Sequence, residues 1–176
     1  MNPRGRIRVA IIGTGNIGTD LLFKLLRCPE LEFVAFVGRR PNTKSLPPEV
    51  LYSDQSINFF IDNPNSCDVV FDCTDAATAL KNAAVFLEHG IVTIDLTPSK
   101  VGRLCVPRVN SECLRHAMNV NMVTCGGQTS IPLLKYLTSK CTPSYTEVVT
   151  QIASDSAGFA TRLNVDSYIH TTEYAI

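Results

Sequence analysis

The chain has 176 residues, 45% of them apolar, and sixteen basic residues balance sixteen acidic ones. That length and apolar content suit one large domain, or one and a fraction, with a packed core. The zero net charge argues against nucleic acid or an anionic membrane as partner. No apolar run approaches the roughly 18–20 residues that span a bilayer, and Val9 to Ile12 is too short for a signal-peptide core. Seven cysteines without C-x-x-C spacing argue against a disulfide framework or a zinc site. They fit a reducing, cytoplasmic compartment, and no metal-ligand set stands out.

Taken in order, Arg8 to Ile12 reads as a short apolar strand running into Gly13-Thr14-Gly15-Asn16-Ile17-Gly18. Ile17, Leu21, Leu22, Leu25 and Leu26 then recur at helical spacing until Cys28-Pro29. A G-x-G-x-x-G between a strand and a helix predicts dinucleotide binding, with the pyrophosphate against the helix N-terminus. Leu31 to Val37 is the second strand. At its end, where an acidic residue would take ribose hydroxyls, stand Gly38-Arg39-Arg40. Arg39 is thus a candidate for accommodating the 2′-phosphate of NADP, and equally a residue of a solvated basic turn.

Residues 41–66 read as loop with one short helix near Ile57 to Ile61. Cys67 to Asp72 is a buried strand, and Ala77 to Glu88 a helix with Leu80, Ala84 and Leu87 on its apolar face. Ile91 to Leu96 is the next strand, ending in Asp95-Leu-Thr-Pro98, where Asp95 is either a turn cap or a catalytic carboxylate. Cys105 to Asn110 is expected to be extended, Ser111 to Met118 a short helix, Ile131 to Ser139 a longer one and Tyr145 to Ala153 a strand. Ser154 to Arg162 reads as a polar loop, followed by a polar tail. His89, His116 and His170 carry no motif and read as surface residues, so no histidine base is assigned.

Cys125 stands apart. An apolar strand-like run ends at it, Gly126-Gly127 free the backbone, Thr129 or Ser130 is placed to cap a helix, and Pro132 suits that helix's first turn. A thiol where backbone N–H groups converge is favoured as thiolate, and the same donors suit an oxyanion. A buried cysteine before a glycine turn is the plain alternative.

Four segments together carry a family likeness: Val9 to Asp20, Ile94-Asp-Leu-Thr-Pro98, Asn119 to Gln128 with its Cys-Gly-Gly-Gln, and Ile152 to Gly158. In this order they resemble the acylating acetaldehyde dehydrogenases that partner 4-hydroxy-2-oxovalerate aldolase in breakdown of aromatic compounds. The resemblance implies a Rossmann-type, doubly wound parallel α/β sheet over 1–124. The start of an incomplete α+β catalytic and dimerisation domain over 125–176 would follow. It implies Cys125 as the nucleophile that turns acetaldehyde, or another short aldehyde, into a thioester, with coenzyme A taking the acetyl group. NAD contacts map onto Thr14, Gly15, Asn16 and Ile17 within the Gly13–Gly18 loop. A second set maps onto Ser156, Ala157, Gly158, Phe159, Ala160, Thr161, Arg162, Leu163 and Asn164, where the family has Pro-Gly in place of Phe159-Ala160. Family chains run well past the position of Ile176, so the sequence reads as C-terminally truncated. Two other readings stay open: a dinucleotide-binding or partner-docking domain without turnover, and a phosphorylating or semialdehyde dehydrogenase.

Overall fold

The computed structural model describes residues 5–39, 46–158, 162 and 164–176. Its centre is β1 (Ile7–Ile12), whose Val9, Ala10, Ile11 and Ile12 are all buried. A strand with helices over both faces of its sheet must be apolar throughout. Val9 and Ile11 face α1 (Asn16–Leu25), packing with Leu22, Leu25 and Phe36. Ala10 and Ile12 face the other way, into a cluster holding Phe59, Phe60, Val70 and Phe86. There Phe60 meets Phe59 and Phe86 edge to face, with centroids 5.2 Å apart in each pair.

The sheet adds β2 (Leu31–Val37), β3 (Tyr52–Ser53), β4 (Val69–Asp72), β5 (Val92–Asp95), β6 (Arg103–Leu104) and β7 (Asn119–Asn121). Their order is β3-β2-β1-β4-β5-β7-β6, and every pairing is parallel. The chain moves outward from β1 to β3 and returns to β4, so the winding reverses between β1 and β4. In such sheets ligands bind at the carboxyl ends of the strands beside that reversal. The glycine loop lies there. A Cβ built on Gly18 would stand 1.9 Å from the Gly13 carbonyl oxygen, so only glycine lets α1 start so close to β1.

The connecting helices are α2 (Asn58–Asp62), α3 (Ala76–Glu88), α4 (Pro107–Asn110), α5 (Cys125–Thr138) and α6 (Val165–Ala175), with 3-10 turns at Ser111–Leu114 and Ser154–Ser156. Several expectations need correction. Residues 145–153 lie in no ladder among the described residues, although their β-branched content favours a strand. The α5 helix begins at Cys125, not near Ile131, because Thr124 caps it. Residues 107–110 are helical, Pro107 supplying a favourable first position, and the 111–118 helix shrinks to one 3-10 turn. The polar tail is α6, tied down by Thr171 and Thr172. Finally, α3 buries Ala79, Asn82 and Phe86, whereas Leu80 and Leu87 are exposed. Both line an apolar cavity of about 480 Å³ against Val101 and Met118. Among the described residues no helix is long and apolar enough to cross a membrane.

A buried polar row crosses the strand ends: Asp72, Asp95 and Asn121 are paired in register and at most 1% exposed. Asp72 accepts from the Thr74 N–H, the Thr74 hydroxyl and Asn82 Nδ2. Even so, burial pushes its carboxyl up to about 6, and burial likewise raises Asp95. A carboxyl with a raised folded-state pKa contributes stability that is complete below its unfolded value near 3.8 and is lost as pH rises through about 6. Asp72→Asn, which does not titrate, is expected to remove from the stability profile a fall of the order of 2–3 kcal/mol between those limits, measured by urea denaturation across pH. Gly18→Ala is expected to lower stability by about 2–3 kcal/mol in the same measurement.

Candidate active site around Cys125

The turn from β7 into α5 is sharp. Val123 sits at φ 60°, a left-handed conformation that a β-branched residue rarely adopts. Asn121 holds it there. Its Oδ1 accepts from the Val123 N–H at 2.9 Å, while its Nδ2 donates to Asp95 Oδ2 and to the Thr97 carbonyl, both at 2.9 Å. Asp95 also accepts from the Thr97 N–H at 2.7 Å and from the Ser99 hydroxyl. Asp95 is therefore buried in the support of this turn. It is the turn cap of the two roles open to it, set back from the surface where Cys125 lies.

The Cys-Gly-Gly-Gln motif has a separate geometric reason for each residue. Thr124, the N-cap, accepts from the Gly127 N–H at 3.0 Å. Gly127 permits that closeness, since a Cβ there would fall 2.8 Å from Val123 Cγ1. Gln128 Nε2 donates to the carbonyls of Cys105 and Met122, at 2.6 and 2.7 Å, clamping the first turn to the ends of β6 and β7. Gly126 faces a side chain from α6: a Cβ there would lie 2.3 Å from the Tyr168 hydroxyl oxygen. Thr129 and Ser130 do not cap; their hydroxyls donate back to the carbonyls of Cys125 and Gly126 four residues earlier. Pro132 accordingly lies inside the helix rather than in its first turn.

Cys125 itself is exposed at the first helical position. Its Sγ lies 3.5 Å from the Tyr168 Oη, and that oxygen accepts from the Gly126 N–H at 2.9 Å. The other described thiols differ. Burial pushes Cys67 up to about 11 and raises Cys73 as well, while Cys28 and Cys141 donate to carbonyls of their own helices. Cys105 is buried. His89 ends α3 against the Val85 carbonyl, and His170 contacts Glu173 on exposed α6. Neither is hydrogen-bonded to Cys125.

At the other end of the site, Thr14 is buried and Gly15, Asn16 and Ile17 are exposed. Among the described residues nothing lies within 4 Å of a Cβ built on Gly15, and Gly15, the N-cap of α1, has no side chain to bond the helix's first N–H groups. That open ground at a helix N-terminus fits a phosphate. Arg39 is exposed just past β2, beside Gly38, which packs against the Thr14 side chain; Arg40 lies outside the described residues. The second predicted set reaches the same place at one point, because a Cβ on Gly158 would lie 3.7 Å from Asn16 Nδ2. Arg162 turns back instead, donating to the carbonyls of Ala157 and Ser154. Ala157 is half-buried beside Gly158, and Asn164 precedes α6. Phe159, Ala160, Thr161 and Leu163 lie outside the described residues, as does the Ser156 side chain.

The residues that the motifs did not reveal are Asn121, Thr124, Thr150 and Tyr168. Thr124 had a signal, a hydroxyl three residues before Gly127. Tyr168 had none, since its partner lies 43 positions away.

A family model for the semialdehyde dehydrogenase NAD binding domain matches residues 8–117, and one for the dimerisation region of prokaryotic acetaldehyde dehydrogenase matches 125–176. An acetaldehyde dehydrogenase of Spirochaeta aurantia is 50% identical over 97% of this chain and 59% of its own length. One from Burkholderia thailandensis is 44% identical over 99% and 61%. The chain thus spans about three-fifths of these curated relatives. Among solved structures, aspartate semialdehyde dehydrogenase with NADP from Candida albicans shares the fold. Its TM-score is 0.61 at 21% identity, covering 77% of this chain and 47% of that one. The chain belongs to the semialdehyde dehydrogenase NAD-binding family, and these two relatives, which match nearly its whole length, are acetaldehyde dehydrogenases.

Proposed function

We propose that this chain carries the cofactor site and the nucleophile of an acylating aldehyde dehydrogenase. In that reaction acetaldehyde, or another short aldehyde, is oxidised to a Cys125 thioester and passed to coenzyme A. The observation that carries it is the exposed Cys125 thiol at the N-terminus of α5, presented by a strained turn on the strand-end side of the sheet that also bears the glycine loop. One stretch of chain joins the two. Thr150 and Tyr168 touch the Cys125 turn, and Gly158, between them, reaches Asn16.

The roles follow from chemistry. Cys125 Sγ attacks the aldehyde carbon, forming a C–S bond and placing the carbonyl electron pair on oxygen. The positive end of the α5 dipole, where Cys125 stands, favours that oxyanion. Gly13, Thr14, Gly15, Asn16, Ile17 and Gly18 would hold the pyrophosphate of a nicotinamide dinucleotide, and Gly158 would close over it. The dinucleotide, when bound, supplies the hydride acceptor. With arginine rather than an acid after β2, Arg39 would stand toward the adenosine ribose, which suits NADP as well as NAD. Expulsion of Cys125 by the coenzyme A thiolate would then complete the acyl transfer. Residues 125–176 would form the start of the dimerisation unit. Leu133, Tyr136 and Leu137 expose an apolar stripe there that suits a homodimer. A 4-hydroxy-2-oxovalerate aldolase is the proposed further partner, on the family resemblance.

A second reading is a dinucleotide-binding domain without turnover, favoured by Phe159-Ala160 standing where the family has Pro-Gly. One assay separates them. Under the first reading, NAD, acetaldehyde and coenzyme A yield NADH, followed by its absorbance, and Cys125→Ala lowers the rate to background with NAD binding retained. NAD binding without NADH formation in the unsubstituted chain overturns the first reading and supports the second.

A further inference from the structure

The Tyr168 hydroxyl is placed by more bonds than a phenol on a surface helix needs. Its oxygen accepts from the Gly126 N–H at 2.9 Å, and the Thr150 hydroxyl reaches the same oxygen from the extended stretch after α5. The phenol's single proton has Cys125 Sγ at 3.5 Å and the Thr150 hydroxyl oxygen as acceptors, and because a thiolate only accepts, a phenol beside the Cys125 thiolate is the donor. Gly126 is a glycine for the same reason, because its missing Cβ leaves the space the phenol oxygen fills.

We propose that Tyr168 is a catalytic residue of this site, donating its phenol proton in a hydrogen bond first to the Cys125 thiolate and then to the oxygen that becomes an oxyanion. The inference rests on Cys125 as the nucleophile. When the C–S bond forms, negative charge leaves sulfur for the former carbonyl oxygen, one bond beyond the carbon attached to Sγ. A donor beside Sγ is within reach of both atoms without moving the helix. The phenol lends a hydrogen bond and keeps its proton, so when hydride leaves the carbon for an oxidised dinucleotide the carbonyl re-forms with charge balanced. Burial, then the bond to Cys125, keeps Tyr168 protonated above the ordinary phenol range, as a donor requires. Among the described groups against the phenol, Cys125 is the one titratable group besides Tyr168; Gly126 and Thr150 are not titratable. No charged side chain of the described residues is hydrogen-bonded to either group.

Tyr168→Phe keeps the half-buried ring and removes only the hydroxyl. The readout is alkylation of Cys125 by iodoacetamide, followed on its own peptide by mass spectrometry across pH, with the thermal midpoint measured alongside. The expected result is a profile displaced to higher pH by about half to one unit in the variant. NADH formation should fall about tenfold in kcat with KM little changed. Superimposable alkylation profiles in two folded proteins would overturn the proposal, even if turnover persists and the dehydrogenase reading stands. A displaced profile in a chain without turnover would support the hydrogen bond while the dehydrogenase reading fails.

Discussion

The site depends on one buried carboxamide. Asn121, fully enclosed, takes two acceptors from the Asp95-Leu-Thr97 turn and returns its oxygen to the Val123 N–H. That last bond keeps a β-branched residue at positive φ, a conformation that survives only where the surroundings over-determine it. Relaxing Val123 would change the direction in which the chain leaves β7, and Thr124 would no longer meet the Gly127 N–H. The thiol would then lose its place at the first turn of α5. The arrangement is analogous to the strand–strained turn–helix that exposes the nucleophile in α/β-hydrolases, on a different sheet order.

The same buried row explains a tension within the molecule. Asp72 and Asp95 are carboxylates where the sheet is driest, and both are raised by desolvation. Their neighbours Thr74, Asn82, Ser99 and Asn121 supply the hydrogen bonds that make such burial tolerable. A leucine row would pack as well, but would not hold the loops at the strand ends, where the dinucleotide loop and the Cys125 turn lie. Rigidity at the site is obtained at some cost to the sheet.

How much of this was legible in the sequence follows from the range of the interactions involved. The β1–glycine loop–α1 unit is local, and its alternating apolar residues and glycine spacing marked it plainly. The Cys-Gly-Gly-Gln motif was equally visible, but its helix start was misplaced. Thr129 and Ser130 looked like caps, whereas Thr124 takes that role once the chain turns at Val123. Leu80 and Leu87 give α3 an apolar stripe that stays exposed along the cavity shared with Val101 and Met118, so periodicity alone pointed inward where packing is incomplete. The tail looked merely polar because Thr171 and Thr172 are buried through hydrogen bonds to Pro98 and Thr124, not through apolar packing. Tyr168 reaches the site only by that docking, which no local pattern encodes. Residues 145–153 have the composition of a strand without a neighbour to pair with among the described residues.

The proposed function requires the Cys125 sulfur and the glycine loop to serve one reaction. The most direct measurement is peptide mass spectrometry of the chain after incubation with acetaldehyde and NAD, with coenzyme A withheld. One acetyl group is expected on the Cys125 peptide, dependent on NAD and discharged when coenzyme A is added. An NAD-bound chain in which Cys125 stays unmodified, or in which other cysteines are acetylated instead, would contradict it.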